Sequence, residues 1–284
     1  MLKIAGLDIG GTHIRGSLFS KDGKLLDRLD IATTPKNDTK RLIEKIQYVV
    51  SSLEKEAVTI GVGVAGPIDI RTGECHPPNI KGLRGVRLRK VLKTKLPLHI
   101  ENDVNCFLYS ESILGVGKRY SNILGLTLGT GVGGAIVIDK RLYTGMRGSA
   151  GEFGHMMVDA SKRLTLENAA SGTAIEKNYK KLTGKKAMAS DIVKMKTKYA
   201  RKVQKDASTY IGIGIANLLN IFNPDCIILG GSVANSYYLF EKEVKNQVEK
   251  IAKDPNKKAK ILIHKLKHPG SLGAALLGFE NRKK

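Results

Sequence analysis

The sequence predicts an α/β protein made of two similar halves, and three observations carry that reading. The order hairpin, helix, buried strand ending in glycine occurs twice along the chain. Each round opens on a glycine-rich turn between two apolar strands, GGT at 10–12 and GTGVGG at 129–134. Glycine makes up 31 of the 284 residues, and much of it stands in clusters, as turns that come close to a ligand require.

The elements follow in order. Residues 2–9 and 13–19 alternate as two strands joined at Gly10-Gly11-Thr12. Gly23 closes a turn before a third strand, LLDRLDIAT. Leu42, Ile43, Ile46, Val49, Val50 and Leu53 recur at helical spacing within 38–55. TIGVGVAG, 59–66, reads as a buried strand stopped at Gly66-Pro67. LRKVLKTKL, 88–96, reads as a short helix, and LHIEND, 98–103, as a strand with a polar end. VNCFLYSESIL, 104–114, reads as the helix behind it. The second round opens with LTLGTGVGGAIVIDKRLY, 126–143. A long helical pattern then runs over 200–221 to Asn223-Pro224, and CIILGGSVA, 226–234, echoes TIGVGVAGP. The halves are expected to divide near residue 105, as domains 1–105 and 106–270 with a cleft between them. The closing helix, 271–284, is expected to pack back on one of the two halves, the first domain or the second.

Bulk properties exclude several classes. A chain of 284 residues buries its cores without disulfide staples. The formal charge is +22, with lysines dense at 177–205 and 242–267 on helical patterns. No base-reading motif accompanies them, so the charge reads as a lysine coat whose field attracts anions, and no specific nucleic-acid partner is expected. Cys75, Cys106 and Cys226 stand at neither CxxC nor metal-ligand spacing, and read as buried thiols of a reducing compartment. The first residues read as a strand pattern containing Lys3, so no signal peptide is expected. No apolar run approaches the roughly 18–20 residues that span a membrane, so a cytoplasmic protein without a membrane partner is expected.

Asp8 ends the first apolar strand just before the paired glycines. A carboxylate there needs its charge compensated. The chain lacks GxxxxGK[ST], and its GTGVGG leads into a strand rather than a helix, so neither common nucleotide fingerprint applies. Successive backbone N–H groups in a glycine turn still form a concave nest for oxygen anions. Two such turns, one per half, with an acid beside the first, suit a polyphosphate carrying a divalent cation. A single turn would be explained equally well as a tight hairpin.

Five ordered segments then carry a resemblance: LDIGGTHIRG, IENDVNC, LTLGTGVGGAIV, GMRGSAGEFGH and CIILGGSVA. Together, from about residue 4 to LGAALLG at 272–278, the chain resembles a sugar kinase of the ROK family, in the actin–hexokinase–chaperone ATPase superfamily. The resemblance implies two actin-like, ribonuclease H-like domains and an ATP-dependent hexose kinase. It implies ATP phosphates cradled by Gly10, Gly11 and Thr12 and by Thr130, Gly131 and Gly133, with Asp8 near Mg²⁺ through water. Gly230, Gly231 and Ser232 match the adenosine edge. Asp103 matches the catalytic base that takes the proton of the sugar's primary hydroxyl. An Asp before a helix is otherwise an ordinary N-cap. Gly66, Asn79, Asn102, Glu152, His155 and Glu167 match sugar-contact positions. Glucose is the expected acceptor, with N-acetylglucosamine, N-acetylmannosamine or fructose as alternatives. A non-catalytic sugar-sensing or nucleic-acid-binding regulator is the alternative of another class. Some family members are repressors with an N-terminal helix-turn-helix; the strand pattern that opens this chain leads us to expect no such DNA-reading domain, and intact Asp8 and Asp103 favour the enzyme. Relatives are often dimers, so a homodimer is expected.

Two departures stand out. Many relatives have Lys where this chain has His13. Most place a Cys-x-Cys-Gly-x-x-Gly-Cys segment after the Gly-His pair to bind zinc, whereas MMVDASKRLTL stands here between His155 and Glu167. No zinc site is therefore expected. Asp159 is the candidate to orient His155 in the metal's place.

Overall fold

The computed structural model describes residues 2–33 and 38–283. The chain forms two compact units. Unit 1 takes in Met1–Arg119, Arg141–Ala150 and Lys265–Lys284, and unit 2 takes in Tyr120–Lys140 and Gly151–His264.

Unit 1 opens with β1 (Lys3–Ile9), β2 (His13–Ser20) and β3 (Leu25–Ala32), followed by α1 (Thr39–Glu54) and β4 (Ile60–Val64). It continues with β5 (Leu98–Asn102) and α2 (Asp103–Ile113). The sheet order is β3-β2-β1-β4-β5, antiparallel through β1–β3 and parallel from β1 to β5. Both β1 and β4 are almost wholly buried, as continuous apolar strands covered on both faces should be. The apolar face of α1, with Leu42, Ile46, Val49, Val50 and Leu53, packs into the core on one side. The Asp38 side chain caps this helix by accepting from the Arg41 N–H.

Unit 2 holds β6 (Ile123–Leu128), β7 (Val132–Ile138), α3 (Leu166–Ala170), α4 (Gly172–Thr183) and α5 (Lys198–Phe222). It ends with β8 (Cys226–Gly230), α6 (Glu241–Ile251) and β9 (Lys260–Ile263). Its strands lie in the order β7-β6-β8-β9: one antiparallel hairpin, then two strands parallel to β6. This repeats the β2-β1-β4-β5 arrangement of unit 1, as the sequence repeat predicts. Asn223 ends α5 in the left-handed conformation, and its N–H returns to the Leu219 carbonyl before Pro224.

The chain returns to unit 1 as α7 (Pro269–Glu280). This helix lies so close to the sheet that a Cβ on Gly6 would sit 1.8 Å from the Ser271 oxygen, and one on Gly61 1.7 Å from that of Ala274. Glycine in the strands and small residues in the helix are thus one feature. Glu111, fully buried on α2, fastens the outgoing chain to the returning one. Its Oε2 accepts from Val116 N–H at 3.0 Å, and its Oε1 from Lys265 and Leu266 N–H at 3.0 and 2.9 Å.

Two expectations shift. Unit 1 runs on to Arg119 rather than ending near residue 105, because α2 packs against α7 of the same unit. The closing segment groups with unit 1, and its last residue, Lys284, lies outside the described residues. The helix expected over 88–96 is a single turn, Leu88–Val91. Side chains of α1 take up the following backbone instead. Gln47 bonds both N–H and C=O of Lys93 at 2.7 and 2.8 Å, and Glu54 accepts from Lys95 N–H at 2.6 Å.

Candidate active site

In unit 1, the junction of β5 and α2 is built by division of labour. Asn102, not Asp103, is the N-cap: its Oδ1 accepts from Val104 and Asn105 N–H at 2.9 and 3.1 Å. Buried Glu101 supports it from behind, accepting from Asn102 N–H at 2.9 Å and Asn105 Nδ2 at 3.0 Å. Asp103 is the first residue of the helix, and its Oδ1 also accepts from Val104 N–H at 3.0 Å.

Gly66 ties the junction to the end of β4. Its carbonyl accepts from Asn102 Nδ2 at 2.9 Å, and its amide bonds the Asp103 carboxylate. Its φ is +107°, and a Cβ would meet Pro78 Cδ at 2.7 Å and Pro77 Cα at 2.8 Å, so only glycine fits. Burial, and next the negative charge of Asp8, push the Asp103 carboxyl up to about 7.

Asp8 stands at the end of β1 with its carboxyl pushed up, chiefly by burial, against the opposing pull of Arg15. Arg15 Nη1 lies 3.7 Å from its Oδ2. The first turn of α7 faces it as well, since a Cβ on Gly270 would lie 3.6 Å from its Cγ. A helix N-terminus favours a carboxylate there. The turn beyond is held from below: Gly10 N–H donates to the His13 carbonyl at 2.9 Å, and Thr33 Oγ1 donates to the Gly10 carbonyl at 3.0 Å. Gly11 and Thr12 are exposed at its tip. Asn79 borders it, with its Cβ and carbonyl oxygen 3.9 Å from where a Gly11 Cβ would stand. The ring of His13 lies over the turn, Nδ1 at 3.1 Å from Thr12 Oγ1.

The acids suit a hard cation. Asp8 and Asp103 lie near enough for one charge to raise the other, and both are oxygen donors. Mg²⁺ is held by one or two carboxylates plus water and phosphate oxygens rather than by a full protein cage. Among the described residues no group of three or more His, Cys, Asp or Glu could hold a metal alone. The donor set therefore fits Mg²⁺ shared with a phosphate ligand.

In unit 2, the turn after β6 rests on the start of α4. Gly172 N–H donates to the Gly129 carbonyl at 2.7 Å, and Thr173 Oγ1 to the Thr130 carbonyl at 2.8 Å. Thr130 is exposed, while Gly133 is already paired with Thr127 in the hairpin. Glu167 braces the turn, its Oε2 accepting from Val132 N–H at 2.9 Å and standing 2.5 Å from where a Gly131 Cβ would be. The Gly230–Ser232 segment crosses the same strand end. Val233 N–H donates to the Leu128 carbonyl at 3.0 Å, and Gly231 takes φ +87° beside it. Ser232 is exposed.

Glu152 is carried against β7, where a Cβ on Gly134 would sit 2.2 Å from the Gly151 oxygen. Burial raises its carboxyl, His155 lowers it, and neighbouring Glu167 raises it. His155 Nε2 lies 4.0 Å from Glu152 Oε2, and its side chain is 76% exposed. Asp159 does not orient it, contrary to expectation. Its carboxylate is already taken by Lys162 Nζ at 2.7 Å, Ser161 Oγ at 2.7 Å and Tyr210 OH at 3.0 Å, which hold it well below the usual carboxylate range.

Unit 1 thus brings together Asp8, Gly10, Gly11, Thr12, Gly66, Asn79, Asn102 and Asp103. Unit 2 brings together Thr130, Gly131, Gly133, Glu152, His155, Glu167, Gly230, Gly231 and Ser232. Sequence reasoning missed the Gly172–Thr173 support of the turn, although Ser171, which caps α4 through Ala174 N–H, was a usable signal.

Residues 4–280 match the ROK family, and the chain belongs to that family. It is an ATP-dependent sugar kinase of the actin-like ATPase fold. It is 31% identical to a glucokinase of Thermotoga maritima, covering 83% of each chain. It is 30% identical to an N-acetyl-D-glucosamine kinase of Haemophilus influenzae, covering 90% of this chain and 93% of that one. A ROK glucokinase from Streptomyces griseus, solved with glucose and AMPPNP, superposes with a TM-score of 0.84 at 25% identity, over 98% of this chain and 100% of the other. No helix among the described residues is long and apolar enough to cross a membrane.

Proposed function

We propose that this kinase moves the γ-phosphoryl group of ATP to the 6-hydroxyl of a hexose, with glucose as the acceptor. The observation that carries the reading is Asp103, which opens the helix that Asn102 caps and lies beside Asp8 with its carboxyl pushed up to about 7. A base poised near the working pH takes a proton efficiently without being locked in its charged form. The Asp103 carboxylate accepts the hydroxyl proton as the sugar oxygen attacks the γ-phosphorus. The new O–P bond forms as the bond to the β-phosphate oxygen breaks, and ADP leaves. General-base help of this kind contributes typically ~10²–10⁴-fold.

Asp8 would help to hold Mg²⁺, which would supply neutralisation of phosphate charge when bound. The Gly10–Thr12 turn and the Thr130–Gly133 turn each offer backbone amides to phosphate oxygens, and Gly230–Ser232 borders the adenosine. Asn79, Glu152, His155 and Glu167 are assigned to sugar hydroxyls, together with the second N–H of the Asn102 amide. The Gly66 backbone serves by holding Asn102 and Asp103. The three buried cysteines, none disulfide-bonded, agree with a reducing cytoplasm.

An N-acetylhexosamine is the second reading, favoured by the likeness to the Haemophilus enzyme. A coupled ADP-release assay over glucose, N-acetylglucosamine, N-acetylmannosamine and fructose tests both. The expected result is the highest kcat/KM with glucose, with the product phosphorylated at C6. A higher value with either N-acetyl sugar replaces glucose by that acceptor. No turnover with any of them overturns the reading.

A further inference from the structure

The charge of this protein is not evenly spread. Residues 177–205 contain ten lysines and one arginine against a single acid, Asp191. That is ten of the net 22 positive charges in 29 of 284 residues. All eleven cations are exposed, and among the described residues only Lys202 is ion-paired, with Asp206 at 3.2 Å. A uniform lysine coat does not account for this concentration.

The fold arranges these cations on one part of unit 2. Lys177, Lys180 and Lys181 share one face of α4, spaced i, i+3, i+4. Lys198, Arg201, Lys202 and Lys205 share one face of α5 at i, i+3, i+4, i+7, over about 10 Å of helix. The opposite faces, with Ile175 and Tyr179 on α4 and Val203 and Ala207 on α5, are buried. The connecting loop is pinned to both helices. Glu176 accepts from Ala189 N–H at 2.9 Å, and Gln204 Nε2 donates to the Ile192 and Met195 carbonyls at 2.9 and 2.8 Å. The surface is therefore held in place before any partner arrives. It runs toward the C-terminal end of α4, away from the end that supports Thr130.

We propose that this two-helix surface docks duplex nucleic acid through its phosphates, without reading sequence. This goes beyond the kinase activity and does not depend on which sugar is the acceptor. Ten of the eleven cations are lysines, point charges rather than the planar forks that read guanine edges. Tyr199 is the one exposed aromatic within the segment, too little for a platform that stacks single-stranded bases. The apolar helix faces are used in the core, so none is free to enter a bilayer. The cations form an array over two packed helices rather than a single-file track, which matches the two phosphate rows of a duplex better than one linear polyphosphate chain.

Fluorescence anisotropy with two labelled 24-base-pair duplexes of unrelated sequence tests this, using the full chain from 50 to 200 mM KCl. Non-specific contacts of this kind give Kd values of about 10⁻⁴–10⁻⁶ M, and some six phosphate contacts give a log–log salt slope of about −5. Both duplexes should bind alike. The variant Lys180→Gln/Lys181→Gln/Lys198→Gln/Arg201→Gln should weaken binding at least tenfold and bring the slope to about −2. The variant Lys40→Gln/Lys55→Gln/Arg89→Gln/Lys90→Gln removes the same charge from exposed positions of unit 1 and should bind nearly as the parent does. Retained kinase turnover and an unchanged melt show that both variants fold. Equal weakening by the two variants, no binding at 50 mM salt, or strong preference for one sequence would overturn the proposal. So would tighter binding of inorganic polyphosphate, or of anionic lipid vesicles, at equal phosphate concentration.

Discussion

Replacing Asp103 by Asn should make the protein more stable at alkaline pH while disabling it. In the folded protein the Asp103 carboxyl is pushed up to about 7, first by burial and then by Asp8. In the unfolded chain an aspartate titrates near ~3.9. Between these values the folded state keeps a proton that the unfolded state has released, so stability falls as pH rises. The favourable contribution is complete below the unfolded value and is lost as pH climbs through about 7. At ~1.36 kcal/mol for each tenfold change in proton affinity, the ceiling on this cost at pH 8 is about 4 kcal/mol. Asp103 as a residue is half-buried, so water near the site screens part of the effect and reduces that to about 1–3 kcal/mol.

Asparagine keeps an acceptor for the Gly66 and Val104 amides but carries no charge. Asp103→Asn should therefore raise Tm by about 2–12 °C at pH 8, taking ~2–4 °C per kcal/mol for a chain of this size. The gain should shrink toward zero by pH 4.5. Differential scanning calorimetry of the two proteins across that range reads the effect directly. A variant that melts at or below the parent temperature at pH 8, or a gain that does not change with pH, refutes the argument.

Three further outcomes are expected. Asp8→Asn removes the negative charge that raises Asp103, so the acidic limb of kcat/KM against pH, near 7 in the parent, should move to lower pH even as the rate falls. A limb that stays in place separates the two carboxylates. Gly66→Ala forces a Cβ against Pro77 and Pro78 at a left-handed φ, and should cost about 2 kcal/mol or more in urea unfolding and lower kcat at least tenfold. Glu111→Ala leaves three part-buried N–H groups without their acceptor and should cost about 2–4 kcal/mol, whereas Glu111→Gln, which keeps one oxygen acceptor, should cost less.

Most of the architecture was legible because it rests on local pattern. Periodicity marked α1, the glycine turns marked both hairpins, and their repetition marked the shared strand order. What was hidden depends on partners far along the chain. The lysine-rich 88–96 segment has helical spacing, yet Gln47 and Glu54 on α1 bind its backbone and keep it extended after one turn. The close approach of α7 to β1 and β4 explains Gly6 and Gly61, which inside a strand pattern read only as weak positions.

At the site, residue types and order pointed to Asp8, Asp103 and the two turns, while the division of labour among adjacent residues did not show. Asn102 and Asp103 are equally good cap residues by type, and only the structure shows that Asn102 takes the cap. Asp159 was a plausible orienter by spacing alone, but Lys162, Ser161 and Tyr210 had already claimed its oxygens.

The measurement that bears most directly on the account is ADP release by parent and Asp103→Asn with saturating glucose and Mg-ATP at pH 8, alongside calorimetric titration of each protein with glucose. The account predicts a fall in kcat of ~10²-fold or more while glucose binds both proteins with similar affinity. A variant that keeps near-parental kcat would contradict it.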